Sequence, residues 1–176
     1  TLDRAVDDAQ AIFESLNSTG KELSESDLIR NYILMGLEND EQSYVYEHFW
    51  RPMELMFEYE KQDFVMDKFF RDYLTMKLTR IPKIDKVYEE FKLYHVNCEF
   101  SSVRDLCEDL LKYAKYYTDM VFARSSNPVI KNLYVDVNDL RMEVAFPFLL
   151  KVHNDCSEGL ITEDNFIEIL KMCISY

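Results

Sequence analysis

Glycine and proline are scarce in this chain, with 3 Gly and 4 Pro among 176 residues. Sheet-rich folds need more turn residues than that, whereas long helices joined by short connections need few. Apolar residues make up 48% of the chain and aromatic residues 14%, which argues against disorder. The composition therefore favours an all-α fold, and the helical spacing of apolar residues along the chain predicts an irregular multi-helix bundle of about seven to nine helices.

Long hydrophobic runs are missing as well. The longest, Val144 to Leu150, contains Pro147 and falls well short of the roughly 18 apolar residues that mark a membrane span. No signal peptide is visible. The cysteines show no C-x-x-C spacing and are too few for a disulfide framework in a chain of this length. We therefore expect a cytoplasmic protein with reduced thiols and no membrane partner.

Positive charge is in deficit, and the formal net charge is −13. Phosphate backbones attract Lys and Arg surfaces, so this segment alone is predicted to be a poor nucleic-acid binder. One local basic run surrounds Pro82, and we interpret it as a solvated helix end in preference to a phosphate contact. Its members are Lys77, Arg80, Lys83 and Lys86.

Motifs for catalysis or metal binding are also absent. The three histidines, His48, His95 and His153, lie far apart, and there is no P-loop or G-x-S-x-G motif. Residues 154–165 have the length of a calcium-binding loop, with Gly159 at its sixth position. Its twelfth position is Asn165, however, where a bidentate Glu is needed. We predict instead a helix–turn–helix capped by Thr162, with no catalytic residue and no metal site.

Two prolines are predicted to interrupt helices. A helical stretch from Asp40 to Tyr59 should bend or split at Pro52, because proline lacks the amide donor and crowds the preceding turn. A helix from Leu140 to His153 should kink at Pro147. The segment from Tyr134 to Asn138 fits either a short extended piece or a helical turn.

The stretch from Ala11 to Leu34 is the most informative part of the sequence, and its pattern predicts a helix, a polar elbow and a second helix. Gly20 can end the first helix because glycine accepts the left-handed backbone of a helix exit. Ser24 is predicted to cap the second helix, and Asp27 stands three residues later, where its carboxylate completes a capping box.

These residues resemble the F-x-x-x-N…G…L-x-x-x-D-L-I-x-N segment of GmrSD-type proteins, which are bacterial modification-dependent restriction and phage-defence proteins. The matching positions are Phe13, Asn17, Gly20, Leu23, Asp27, Leu28, Ile29 and Asn31. The resemblance implies a parent protein with a ParB/sulfiredoxin-like nucleotidase domain and an HNH-type nuclease. It also implies that the elbow lies beside a nucleotide pocket, so that Phe13, Asn17, Gly20 and Asp27 are candidate nucleotide-binding residues.

The family's Asp-Gly-Gln-Gln-Arg run is absent before this segment, and no HNH motif follows it. We therefore interpret the chain as a non-catalytic piece of such a protein. Residues 1–38 would be the helical end of the nucleotidase-like domain, and residues 39–176 a helical bundle connector. The piece itself is expected to bind no cofactor, whereas an NTP and a divalent metal are implied for the parent. Its partners would be neighbouring domains, with DNA contacted only through the parent; no oligomeric state is predicted.

A function of another class also fits the sequence. The chain could be an acidic helical protein–protein interaction module with no enzymatic parent. An acidic mimic of DNA is disfavoured, because the acidic residues are interleaved with lysines and arginines. The parent reading frame separates the first two alternatives, since only the GmrSD-type interpretation predicts a Gln-Gln-Arg signature upstream and an HNH motif downstream.

Overall fold

The computed structural model describes residues 23–58 and 64–175 of the chain. Within these two ranges it contains eight helices and no strand, which confirms the predicted all-α bundle. No helix in this described part combines the length and the apolar character that a membrane span requires. The helices are α1 (Glu25–Met35), α2 (residues 39–58), α3 (Val65–Leu78), α4 (Val87–Asn97), α5 (Val103–Val121), α6 (Pro128–Asp139), α7 (Phe146–Ser157) and α8 (Glu163–Ser175).

Helix α2 changes its winding just before its proline. A π-helical segment, Tyr46–Trp50, joins two α-helical parts, and the Arg51 N–H donates to the Tyr46 carbonyl five residues back. Pro52 has no N–H and crowds the preceding turn, and the wider π turn takes up this misfit. The helix therefore continues through Pro52, and the irregularity that was predicted at the proline lies in the turn that precedes it.

Aromatic rings fill the core between α2, α3 and α5. Trp50 stacks on Phe70 with ring centroids 5.8 Å apart, and Phe69 meets Tyr117 edge-on at 5.5 Å. All four side chains are buried. Burial of each such side chain stabilises the fold by about 1.5–3 kcal/mol, so this cluster is a large part of what holds the three helices together.

Helix α1 packs on the same core. Ile29 and Ile33 lie on its inner face and are 0% and 2% exposed. On the side that faces α4, the Tyr32 hydroxyl lies 3.0 Å from His95 Nδ1. The apolar core therefore runs without interruption from α1 into the bundle, whereas the domain division predicted at residue 38 stays a prediction.

Local capping residues set the starts of α5 and α6. The Asp105 N–H donates to Ser102 Oγ at 3.2 Å, and the Val129 N–H donates to Asn127 Oδ1 at 2.9 Å. Pro128 follows Asn127 as the first residue of α6, where its missing N–H costs no helical hydrogen bond. Residues 134–138, which the sequence left open, are therefore the last turns of a well-capped helix.

The predicted kink at Pro147 is wrong. Helix α6 ends at Asp139, Arg141 follows with a φ of 53°, and a 3₁₀ turn, Glu143–Ala145, leads into α7. Pro147 lies in the first turn of α7, where N–H groups have no intrahelical acceptor and a proline is tolerated. The proline thus marks the start of a helix and not its interruption.

The turn between α7 and α8 is a plain helix–turn–helix, as predicted. Gly159 has a φ of 74°, which a residue with a Cβ adopts only with strain. The Asn165 N–H donates to Thr162 Oγ1 at 3.1 Å, and the Asn165 side chain accepts the Thr162 N–H at 3.2 Å. This reciprocal pair makes Asn165 a capping residue at the position where a calcium loop would need its glutamate.

Candidate functional site at the start of helix α1

The start of α1 carries the capping box that the sequence predicts. The Asp27 N–H donates to Ser24 Oγ at 3.1 Å, and the Asp27 carboxylate accepts the Ser24 N–H at 3.2 Å. Two backbone donors that lie outside the helical hydrogen-bond ladder are satisfied in this way. Asp27 is therefore held in a fixed position at the positive end of the helix.

A cleft of about 840 Å³ opens beside this helix start. It lies between the first turn of α1, the last turns of α2 and the first turn of α3. Its walls combine apolar side chains with four carboxylates and one guanidinium. The lining residues are Ser24, Ser26, Asp27, Arg30, Glu54, Phe57, Glu58, Phe64, Val65, Met66 and Asp67.

Asp67 connects two of these elements across a long stretch of sequence. It is 5% exposed, and its Oδ1 accepts the backbone N–H of Ser26 at 2.8 Å. A buried carboxylate needs such donors, because an unsatisfied charge is costly to bury. Asp67 is not among the residues predicted from the sequence, although an acidic side chain on the apolar face of α3 is a signal that could have pointed to it.

Arg30 lies between two carboxylates of the cleft. Its Nη1 is 2.8 Å from Glu54 Oε1, and its Nη2 is 3.3 Å from Asp27 Oδ1. The same Glu54 oxygen accepts the indole N–H of Trp50 at 2.9 Å. This ion-pair network joins α1 to α2 through the carboxylate that also accepts from the buried Trp50.

Glu25 makes a third connection, to α4. Its carboxylate accepts the backbone N–H of Tyr88 at 2.6 Å, in the first turn of α4. Burial raises the pKa of Glu25, the hydrogen bond from Tyr88 opposes that rise, and the negative charge of Asp67 adds to it. The first turn of α1 is therefore tied by side chains to α2, α3 and α4.

The described residues that line the cleft are not sufficient to bind a triphosphate. The N–H groups of Ser24, Ser26 and Asp27 already donate to side-chain oxygens, and four carboxylates face a single arginine. A phosphate at a helix start needs free N–H groups and a net positive surrounding. Within residues 23–58 and 64–175, no group of three or more His, Cys, Asp or Glu side chains is placed to hold a metal ion.

Three of the four candidate nucleotide-binding residues, Phe13, Asn17 and Gly20, lie outside the described residues. The fourth, Asp27, is in the capping box and lines the cleft. A contact between Asp27 and a nucleotide therefore stays a prediction, and the structure assigns this side chain a definite role in starting α1.

The basic run around Pro82 consists largely of paired cations. Three of its four members contact carboxylates, which agrees with a charged helix end and leaves little free positive charge for a phosphate. The pairs are Lys77–Asp109 at 2.9 Å, Lys86–Glu89 at 3.0 Å and Arg80–Glu90.

The resemblance to GmrSD-type proteins accordingly rests on the motif residues alone. Five of these positions, Leu23, Asp27, Leu28, Ile29 and Asn31, fall within the described part of the chain, at the start and along the first turns of α1. Comparisons with models of known protein families, with curated proteins and with solved structures found no match.

Proposed function

We propose that this chain is the non-catalytic helical connector of a GmrSD-type restriction or phage-defence protein, which links a nucleotide site to a DNA-cleaving domain. One observation carries the proposal: the motif residue Asp27 completes the capping box of α1 and also lines the 840 Å³ cleft. One motif residue, Asp27, therefore borders a cleft, and the resemblance implies that a nucleotide pocket lies beside this part of the motif.

The connections of α1 support a mechanical role. Asp67, Glu54 and Glu25 tie its first two turns to α3, α2 and α4. A ligand that moved the start of α1 would act on these three helices through the side-chain bonds that connect them, because hydrogen-bond and salt-bridge networks carry coupling between sites. In the parent protein, this is how the state of the nucleotide would reach the far side of the bundle.

The NTP and the divalent metal belong to the parent protein in this proposal. The carboxylate-rich wall of the cleft would need cationic or donor groups from another part of the parent before a triphosphate could bind there. The partners of the chain are then the neighbouring domains, DNA is contacted only through the nuclease, and the protein works in the cytoplasm.

A two-step experiment tests this function. The parent reading frame should contain a Gln-Gln-Arg signature upstream and an HNH motif downstream; absence of both contradicts the proposal. In the full-length protein, Glu54→Gln removes the charge that holds Arg30 but keeps the acceptor for Trp50. We expect nucleotide hydrolysis to continue and nucleotide control of DNA cleavage to weaken by about fivefold or more.

The matched control is Glu168→Gln, which neutralises an exposed glutamate paired with Lys171 on α8. It should leave nucleotide control of cleavage unchanged. If nucleotide dependence of DNA cleavage is the same in wild type and in Glu54→Gln, with both proteins folded, the proposed role of α1 in linking the nucleotide site to the nuclease is contradicted.

The alternative function is an acidic helical interaction module with no enzymatic parent. It is favoured by large apolar side chains that stay exposed, among them Val144 at 84% and Phe148 at 55%. Such side chains on a chain with a net charge of −13 are typical of a surface that a partner protein covers. A reading frame that lacks both signatures selects this function.

A further inference from the structure

The cleft beside the start of α1 has a lining of unequal charge. Its described lining residues include four carboxylates and a single cation, the guanidinium of Arg30. That guanidinium is already engaged, because its Nη1 lies 2.8 Å from Glu54 Oε1 and its Nη2 lies 3.3 Å from Asp27 Oδ1. The lining therefore carries an excess of negative charge, which concentrates cations in the cleft and repels anions. The carboxylates are those of Asp27, Glu54, Glu58 and Asp67.

Asp67 is the buried member of this set, and only one of its two oxygens has a partner. The residue is 5% exposed, and its Oδ1 accepts the Ser26 N–H at 2.8 Å. Within residues 23–58 and 64–175 no donor and no cation contacts Oδ2, although this oxygen is reachable from solvent. A carboxylate has acceptor sites for several donors, and a buried one is costly to leave underpaired. Asp67 Oδ2 is thus open to a donor that a molecule in the cleft would bring.

Apolar side chains line the same cleft beside the carboxylates. Phe57 and Val65 are each 6% exposed, whereas Phe64, at the start of α3, is 68% exposed. A hydrocarbon stem lies well against such a surface while its charged end reaches a carboxylate. The face of an exposed aromatic ring also attracts a cation that lies within about 6 Å of it. The lining therefore fits a cation that is carried on a hydrocarbon stem.

A second cleft, of about 370 Å³ between α3 and the start of α7, offers a comparison within the same molecule. Its charged lining residues are two cations and two carboxylates, Lys68, Arg71, Asp72 and Glu143. Burial raises the pKa of Asp72 to about 7, so part of its negative charge is lost near neutral pH. This second cleft therefore has no excess of negative charge that would select a cation.

We propose that the cleft beside the start of α1 binds an organic cation, with its ammonium or guanidinium group at Asp67 Oδ2 and its hydrocarbon stem on Phe57 and Met66. A free aliphatic amine and a lysine or arginine side chain of another protein segment share this chemistry. The site follows from the cleft itself and does not rest on the GmrSD-type function. In that function, the cation would come from a neighbouring domain of the parent and would offset the acidic wall.

The first test follows the methyl signal of Met66 by NMR while the chain is titrated with n-hexylammonium and, separately, with n-hexanol. The solution contains about 0.15 M salt, which screens the general attraction of the acidic chain for cations. We expect a dissociation constant about tenfold lower for the ammonium than for the alcohol, because only the ammonium pairs with a carboxylate.

Three variants locate the interaction. Asp67→Asn keeps an acceptor for the Ser26 N–H and should reduce the preference for ammonium to about twofold or less. Glu58→Gln removes an exposed charge from the lining and should also weaken binding of the ammonium, but not of the alcohol. It keeps the test open if Asp67→Asn unfolds. The control Asp136→Asn neutralises an exposed carboxylate on α6 and should leave the preference unchanged.

A second arm identifies the source of the cation. A capped alanine peptide with one central lysine is compared with n-hexylammonium and with the copy of the peptide that carries norleucine instead. Tighter binding of the lysine peptide than of the free amine supports a side chain of another protein segment, and the reverse order supports a free amine. A norleucine copy that binds as tightly as the lysine peptide would contradict the site.

Two further results would overturn the proposal. One is an equal affinity for ammonium and alcohol in the wild type, or a preference for ammonium that survives unchanged in both Asp67→Asn and Glu58→Gln. The other comes from the double variant Lys21→Gln, Lys61→Gln, which removes the two lysines nearest in sequence to Ser24 and Glu58. A gain in ammonium affinity of about fivefold or more in this variant would mean that a lysine of the chain itself fills the cleft.

Discussion

The buried carboxylate of Asp67 accepts the backbone N–H of Ser26 at 2.8 Å, across 41 residues of sequence. The contact joins the first turn of α3 to the first turn of α1, at the helix start that carries the GmrSD-like motif. A long-range bond of this kind ties the start of α1 to α3, which its local cap cannot do. Ser24 and Asp27 cap the first turn of the helix, and Asp67 fixes the position of that turn relative to α3.

Replacement of Asp67 should therefore destabilise the fold. We expect Asp67→Ala to lower the free energy of unfolding by about 2–3 kcal/mol, because the Ser26 N–H stays buried without an acceptor. Asp67→Asn keeps an acceptor oxygen and should cost less. Urea unfolding followed by circular dichroism measures both variants, and a loss below about 0.5 kcal/mol in Asp67→Ala would show that the bond does not anchor α1.

The raised pKa of Asp72 predicts a particular pH dependence. Its folded pKa of about 7 exceeds the ordinary value of 3.8, so the folded state holds a proton that the unfolded state releases. The stabilising contribution is complete below about pH 4 and is lost as the pH rises towards 7 and beyond. Relative to Asp72→Asn, the wild type should lose at most about 4 kcal/mol across this window.

Urea unfolding of the wild type, Asp72→Asn and the exposed-site control Asp136→Asn at several pH values from 4 to 8 provides the measurement. Glu25 and Asp119 also have raised pKa values through burial, so the difference between wild type and Asp72→Asn isolates the one carboxylate. Parallel stability curves for these two proteins would contradict the assignment.

The buried ring of His153 should make the fold less stable as the pH falls, which is opposite to the effect of Asp72. Its ring stacks on Tyr116 with centroids 4.2 Å apart and meets Phe166 at 5.3 Å. Burial lowers the pKa of His153 below its ordinary 6.5, so the unfolded state takes up the proton first as the pH falls. Its contribution to stability is thus present above pH 6.5 and is lost below it.

The variant His153→Phe keeps an aromatic ring in the stack and cannot be protonated. Between pH 7 and pH 5 the wild type should lose more stability than this variant in thermal unfolding. His95 also has a pKa lowered by burial, and it stays the same in both proteins. An equal loss of stability in the two proteins would mean that protonation of the His153 ring does not destabilise the folded state.

Thr79 ends α3 in a left-handed conformation, with a φ of 55°. A β-branched residue adopts this conformation only with strain, whereas glycine does not. We expect Thr79→Gly to raise the free energy of unfolding by about 0.5–1 kcal/mol, because relief of strain exceeds the added freedom of the unfolded chain. Thr79→Ala, which keeps a Cβ, should gain less; a loss of stability in Thr79→Gly would show that the turn is unstrained.

The features that the sequence predicts correctly are local ones. The caps at Ser24 and Thr162 depend on side chains within three residues of each helix start, so the residue types alone indicate them. The all-α class follows from the shortage of glycine and proline together with helical spacing of apolar residues. The effect of a proline cannot be predicted from local rules alone. Pro147 could interrupt a helix or begin one, and its position in the first turn of α7 is set by where the preceding helix ends.

The contacts that define the two clefts could not be predicted in this way. Asp67 and Ser26 meet because α1 packs against α3, and Asp72 and Val144 line one cleft because α7 packs beside α3. Nothing in the spacing of a single sequence shows which helix faces which. The motif could be recognised from sequence, whereas the carboxylates that line the cleft beside Asp27 are found only in the packed bundle.

The most direct test of the connector function is amide hydrogen exchange in the full-length parent protein. Exchange is compared with and without each ribonucleoside triphosphate in the presence of Mg²⁺. With the nucleotide that the parent uses, protection should rise in α1 and in the helix starts bonded to it through Asp67 and Glu25, and stay unchanged in α8. Identical exchange of α1 under all these conditions, in a parent that hydrolyses one of the nucleotides, would contradict the proposal that this chain senses the nucleotide site.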